Sequence, residues 1–245
     1  SYDRYNTKAG RIVRVSFLVD IQGEKMNEST VMPPVAQTVK TDYPEVEEAT
    51  RIRDYGTPKL SSGNKSFRDD AFAFVDSNFF SVFTLPFVQG NERTALIEPN
   101  TVVITRAVAR KYFGNEDAMG KVINFKDGEN AACIVTGIID EVPVNSHFHF
   151  DLFGSMASLP ESKEPTWMKS NFYTYLVLQH KYDYKKLEAK LPTLVEKYIG
   201  PQMPDAMGMT LAQFRGKGNA LTFHLQPLTD IHLHSDFAND LSKPG

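Results

Sequence analysis

Ile97-Glu98-Pro99-Asn100-Thr101-Val102-Val103-Ile104-Thr105-Arg106 opens the stretch that decides the fold. It continues through Gly120-Lys121-Val122-Ile123 and Ile134-Val135-Thr136-Gly137-Ile138-Ile139 to Pro143-Val144-Asn145-Ser146-His147-Phe148-His149-Phe150-Asp151. Thr101 to Thr105 is rich in β-branched residues, the composition of a strand. Thr105 stands where a hydroxyl can accept from the first free amides of a helix, so a helix is expected from Arg106 to Phe113, with Gly114 as its left-handed stop. Val122 to Phe125 and Cys133 to Ile139 read as strands joined by the turn Lys126-Asp127-Gly128-Glu129-Asn130. Upstream, Ala71 to Val75 reads as another strand, and Ser77 as the cap of a short helix holding Phe79, Phe80 and Phe83. With Phe67, Phe72, Phe74 and Phe87 these rings suffice for a separate small core. Residues 56–164 are therefore expected to form a mostly β body with short helices.

Outward from this body, Val13, Val15, Phe17, Val19 and Ile21 alternate with Arg14, Ser16 and Asp20, the period of a half-buried strand. Gly23 to Ser29 reads as a polar turn. Val31, Val35, Val39 and Tyr43 then recur at helical spacing, with Pro33-Pro34 in the first turn and Pro44 at the end. Val46 to Tyr55 reads as a second strand. On the far side, Phe172 to Gln179 is a strand, and Asp183 caps a helix striped by Leu187, Leu191, Leu194, Val195 and Tyr198, which Pro192 breaks near Ala189. A mobile apolar loop is expected from Gly200 to Gly218. Leu221, Phe223 and Leu225 alternate with Thr222, His224 and Gln226 in a last strand. Strand, helix, strand thus occurs twice, which predicts an α+β fold: a split β-α-β, ferredoxin-like domain of residues 1–55 and 165–245, with residues 56–164 inserted between its second and third strands.

Of the 245 residues 41% are hydrophobic and 23% charged, as in a soluble globular protein with a real core. A net charge of −3 and a pI near 6.1 provide no basic face for a phosphate backbone, so nucleic acid is not an expected partner. The sequence holds no apolar run of membrane-spanning length and no signal segment. Its abrupt ends, Ser1-Tyr2-Asp3-Arg4-Tyr5 and Ser242-Lys243-Pro244-Gly245, lead us to expect a segment of a longer chain.

Candidate chemistry is sparse. His147 with His149, and His232 with His234, stand two apart and would share a face in extended structure, where they could hold a metal. Ser-His-Phe-His-Phe-Asp reads more readily as a strand edge, and nothing brings the pairs together, so no metal is expected. Asp140, Glu141 and Asp151 could act as acid and base, but isolated carboxylates at strand ends are more often turn-formers or ion-pair partners. Tyr112-Phe113-Gly114-Asn115 has one glycine at a helix C-terminus, the wrong end for an anion. Cys133 sits in an apolar run and reads as a small buried hydrophobe. Trp167 reads as a packing anchor where the chain returns to the first domain. Met203, Met207 and Met209 form an apolar cluster that packs on the helix or meets a ligand.

Short motifs along nearly the whole chain carry a resemblance. They include Ala9-Gly10-Arg11-Ile12-Val13-Arg14-Val15, Tyr43-Pro44-Glu45-Val46-Glu47, Asp76-Ser77-Asn78-Phe79-Phe80, Glu98-Pro99-Asn100 and Lys111-Tyr112-Phe113-Gly114. They continue with Pro143 to Asp151 and with Leu225-Gln226-Pro227-Leu228-Thr229-Asp230-Ile231-His232-Leu233-His234-Ser235. In this order they resemble the periplasmic core domain of MacB-type, FtsX-like ABC transporter permeases, in particular the large permeases common in Bacteroidetes.

The resemblance implies a porter-type β-α-β domain built from both ends of the segment and an inserted, sabre-like subdomain. It implies a place on the periplasmic side of the bacterial inner membrane, within an integral membrane protein. It offers no catalytic motif and no cofactor: the ATPase is expected on a separate cytoplasmic subunit or domain. Partners implied are that ATPase, through the membrane part, and a periplasmic adaptor or other envelope protein. The full-length protein is expected to be a homodimer and the isolated domain a monomer. The resulting function is a non-catalytic domain that couples ATP hydrolysis to export or mechanotransmission. A free-standing periplasmic ligand- or peptide-binding module is the alternative, and a metal-dependent hydrolase built on the histidine pairs a distant third.

Overall fold

The alternation of Val13, Val15, Phe17 and Val19 becomes strand β1 (Ile12–Ile21). Gln22 and Gly23 follow with positive φ of 54° and 93°, a two-residue hairpin turn that sends the chain back as β2 (Glu24–Glu28). The polar turn expected over Gly23 to Ser29 is thus mostly a strand. Helix α1 (Val35–Asp42) follows Pro34 and buries Val35, Ala36 and Val39, and β3 (Val46–Asp54) comes after it. The central part of the chain contributes β4 (Leu60–Ser62), β5 (Lys65–Phe67), β6 (Phe72–Val75), α2 (Phe79–Val82) and β7 (Phe87–Gln89). It goes on with β8 (Thr101–Thr105), α3 (Arg106–Phe113), β9 (Val122–Phe125), β10 (Ala132–Ile139) and β11 (Leu152–Ser155). The return segment holds β12 (Tyr173–Leu178), α4 (Tyr184–Glu188), α5 (Pro192–Leu194), α6 (Met203–Met207), α7 (Leu211–Gly216) and β13 (Ala220–Pro227).

This computed structural model describes residues 2–127, 131–232 and 241. Its Cα positions group into two units, named here for their place in the chain: a central unit, Ser1–Thr7 with Ile52–Ser162, and an outer unit, Lys8–Arg51 with Lys163–Gly245. The sequence reading put the first residues with the outer segments. Instead Ser1–Thr7 go with the central unit, because Asp3 N–H donates to Asn145 O at 2.8 Å and Tyr5 OH to Ser146 Oγ at 3.0 Å.

In the outer unit the strands lie in the order β13-β1-β12-β3, with β2 paired to β1 beside β12. Counting β1, β3, β12 and β13 as the first to fourth strands, the spatial order is 4-1-3-2, the arrangement of a split β-α-β fold. Val13, Val15 and Phe17 pack under Val39, Leu187, Leu191 and Leu194. β1 is more than half-buried: Ile12, Arg14 and Ser16, on its other face, are buried too. Pro192 does break the long helix, and the chain passes through a π-helical segment, Val195–Ile199. The loop expected from Gly200 is in fact largely helical. α6 ends at Gly208 in a left-handed conformation, and α7 starts at a capping box between Thr210 and Gln213.

In the central unit the order is β6-β11-β8-β10-β9-β4-β5, with β7 on β10 and Ile52–Asp54 on β6. β6 is parallel to β11, and β8 to β10; the other neighbours run antiparallel. Phe79, Phe80, Phe83, Phe148 and Phe153 interlock in tilted and edge-to-face pairs with centroids 5.0 to 6.5 Å apart. Thr105 Oγ1 accepts from Val108 N–H and caps α3 as expected. Ser77 does not cap α2; Asn78 precedes it, with no side-chain cap bond. Residues 128–130 of the turn between β9 and β10 lie outside the described residues.

Candidate functional site

Several of the residues singled out for chemistry are held in structural pairings. His147 is fully buried, with Nδ1 3.0 Å from Asp3 Oδ1, whereas His149 is exposed, because Asn145 to His147 form a turn and not a strand. His234 lies outside the described residues. Among the described residues no group of three or more His, Cys, Asp or Glu is placed to hold a metal.

Asp140 and Glu141 serve the start of α3. Arg106 Nε lies 2.6 Å from Asp140 Oδ1, and Ala107 N–H donates to Glu141 Oε1 at 2.9 Å, where the helix dipole favours negative charge. Asp151 Oδ2 accepts from Ala71 N–H at 2.8 Å and ties β6 to the entry of β11. Burial raises the Asp151 pKa, with Asp70 and Glu141 adding to it against the opposing effects of the Ala71 hydrogen bond and Lys111. Tyr112 is the hydroxyl partner of Asp70 (2.8 Å) and stacks on Phe67 at 3.8 Å, while Lys111 Nζ meets Asp69 at 2.6 Å and Asp70 at 3.0 Å. Gly114 ends the helix at a φ of 62°. Burial pushes the Cys133 thiol up to about 11, which makes it a packing residue.

An apolar cleft lies in the outer unit and measures about 220 Å³. Its floor is the sheet: Phe17, Val19 and Ile21 of β1 with Leu221 of β13. Trp167, Met168, Ser170, Ile199, Met207 and Phe214 also line it. Trp167 is 4% exposed and stacks on Tyr198 at 4.7 Å, so the anchor role expected for it holds. The methionine cluster separates: Met203 is in the core and Met207 lines the cleft at 42% exposure. Glu28, at the end of β2, also lines the cleft and accepts a hydrogen bond from Ser170 Oγ. Sequence reading missed Glu28, since β2 carries a single apolar residue, Met26, and shows no period; the Gln22-Gly23 pair after a strand was the available signal.

Solved structures share this fold. A domain of a permease protein from Porphyromonas gingivalis superposes with a TM-score of 0.77 at 23% identity, covering 91% of this chain and 92% of that one. The periplasmic region of MacB from Actinobacillus actinomycetemcomitans gives 0.57 at 15% identity, covering 91% and 92%. The extracellular domain of the noncanonic ABC-type transporter YknZ from Gram-positive bacteria gives 0.53 at 12% identity, covering 88% and 99%. At these identities the likeness is one of fold. No curated protein matches the chain. The family model of the MacB-like periplasmic core domain matches residues 1–194, and the chain belongs to that family. It is thus a periplasmic domain of an ABC transporter permease of the MacB type.

Proposed function

We propose that this domain is non-catalytic and couples ATP hydrolysis, carried out by a separate cytoplasmic subunit or domain, to export or mechanotransmission outside the inner membrane. The observation that carries the reading is the family match over residues 1–194. In this reading the segments within 1–55 and 165–245 act as the porter-type domain and residues 56–164 as the sabre-like subdomain; the grouping of the chain at Arg51/Ile52 and Ser162/Lys163 supports the two junctions, while the residues before Lys8 group with the inserted part. Movement of the membrane helices would reach the inserted part through the outer one, as a rigid-body rotation. The full-length protein works as a homodimer with an adaptor or other envelope protein as its contact. The test uses the full-length permease with its ATPase in membranes: a disulfide that fixes the two units to each other abolishes transport and alters ATP turnover, and a reductant restores both. Unchanged transport and turnover in the locked form would sink the proposal.

A further inference from the structure

Strand β2 has β1 on one side and, among the described residues, no strand on the other. Along such an edge every second residue turns its N–H and C=O outward, a template for another strand. The register sets Glu28, Met26 and Glu24 opposite Phe17, Val19 and Ile21. Directly opposed residues share a face, so these three side chains stand on the cleft side of the sheet. On that face Met26 is 51% exposed, and of the residues lining the cleft Ile21 is 45% and Met207 42% exposed.

The charges choose between occupants. Glu28 is, among the described residues, the one formally charged residue lining the cleft, and Glu24 flanks Met26 on the other side. A second copy of this chain, added antiparallel about Met26, would set Glu24 against Glu28 twice, and like charges directly opposed are destabilising. A strand with an apolar residue opposite Met26 and basic residues two positions to either side meets both carboxylates with opposite charge. We propose that the outer edge of β2 accepts an extended, basic-flanked segment of a partner protein as an added strand, its central apolar side chain resting on Met26 on the cleft side of the sheet. Main-chain hydrogen bonds then supply affinity, and Met26 with the two glutamates supplies selectivity.

The partner in this proposal rests on the periplasmic coupling reading, but the test needs only this chain. A failed titration leaves that reading standing, and a failed coupling assay leaves this one. The probe is the peptide acetyl-Thr-Arg-Thr-Leu-Thr-Arg-Thr-amide, titrated into the isotope-labelled chain and followed by backbone amide shifts. Saturable shifts in β2 and in the cleft residues are expected. Replacing Glu24 with lysine (E24K) weakens binding by about fivefold or more, on the scale of a cross-strand charge pair reversed in sign. A peptide with glutamate in place of only the arginine that faces position 24 regains that loss on E24K. N-methylation of alternate peptide amides abolishes binding. The proposal is overturned by any of four results: no shifts at millimolar peptide, equal binding of the N-methylated peptide, equal binding of the acidic and basic peptides by the unaltered chain, or self-association of the chain through β2.

Discussion

Asp3 and His147, 144 positions apart in sequence, meet with both side chains fully buried: Asp3 Oδ1 lies 3.0 Å from His147 Nδ1 and accepts from the His147 backbone N–H at 3.2 Å. Tyr5 OH on Ser146 and Thr84 N–H on Asn6 Oδ1, at 2.8 Å, add to the fastening of the N-terminal residues from Asp3 to Asn6. The first histidine of the Ser-His-Phe-His motif therefore clamps the N-terminal segment.

Removing the imidazole leaves Asp3 buried without this partner. His147→Ala should destabilise the central unit by about 1–3 kcal/mol, the cost of leaving a buried polar group without its partner. Urea titration followed by circular dichroism measures it, and a loss below about 1 kcal/mol, as for an exposed pair, would show that the contact contributes little.

Tyr112 holds Asp70 through its hydroxyl and Phe67 through its ring. Tyr112→Phe keeps the stack and deletes the hydrogen bond, for an expected loss of about 1–3 kcal/mol where the acceptor stays buried. An unchanged midpoint would mean that Lys111 alone satisfies Asp70.

Two carboxylates set opposite pH dependences. Burial raises the Asp151 pKa above 3.8, so its protonated form is favoured by folding; the contribution is full below that value and lost as pH rises through the folded pKa. Asp151→Asn should therefore be the more stable form at neutral pH, and the gain should vanish below about pH 3.8. Glu45 is the reverse case. Burial pushes its pKa up, but hydrogen bonds from Lys190 and Tyr182 outweigh that and leave it below 4.5, so its stabilisation is present above 4.5 and lost as pH falls through the folded pKa. Glu45→Gln should flatten the acid limb of the stability profile; a limb identical to the parent's would assign acid unfolding to other groups.

Cys133 is the single cysteine and is 3% exposed, with its pKa pushed up to about 11 by burial. Alkylation by iodoacetamide at pH 8 should be negligible in the native chain and complete in urea. Rapid labelling without denaturant would place the thiol at the surface.

Gly90 has φ +90°, and a Cβ built there would lie 2.5 Å from Thr136 O, a backbone atom that cannot swing away. Gly90→Ala is expected to cost about 1–3 kcal/mol in backbone strain, with the clash in addition. Thermal unfolding of the variant reads the loss directly.

Elements with a clear period or a cap were legible in the sequence. The alternation of Val13 to Ile21 gave β1, Thr105 its helix, and Pro192 the break after α4, each because one residue type enforces one backbone geometry. β2 was not legible: its register on β1 satisfies Glu24, Lys25 and Asn27 at an edge where polar side chains suit a strand as well as a turn. The helices α6 and α7 were hidden for another reason. Pro201, Pro204, Gly208 and Gly216 suggest a loop, but here they occupy first turns and ends, where such residues belong. Of the cleft, Trp167 and Met207 stood out in sequence, while Glu28 and Ser170 did not.

By itself the sequence determined the periods, caps and breaks that specify two strand-helix-strand halves around an aromatic-rich middle, because those signals act between residues a few positions apart. Tertiary structure alone decided that Asp3 closes on His147, that Asp140 and Glu141 serve the start of α3, and that Glu28 and Met207 line one cleft. These are relations between residues far apart in the chain, fixed by strand order, register and burial. No local pattern records them, because each partner obeys the same local rules whichever residue it finally meets.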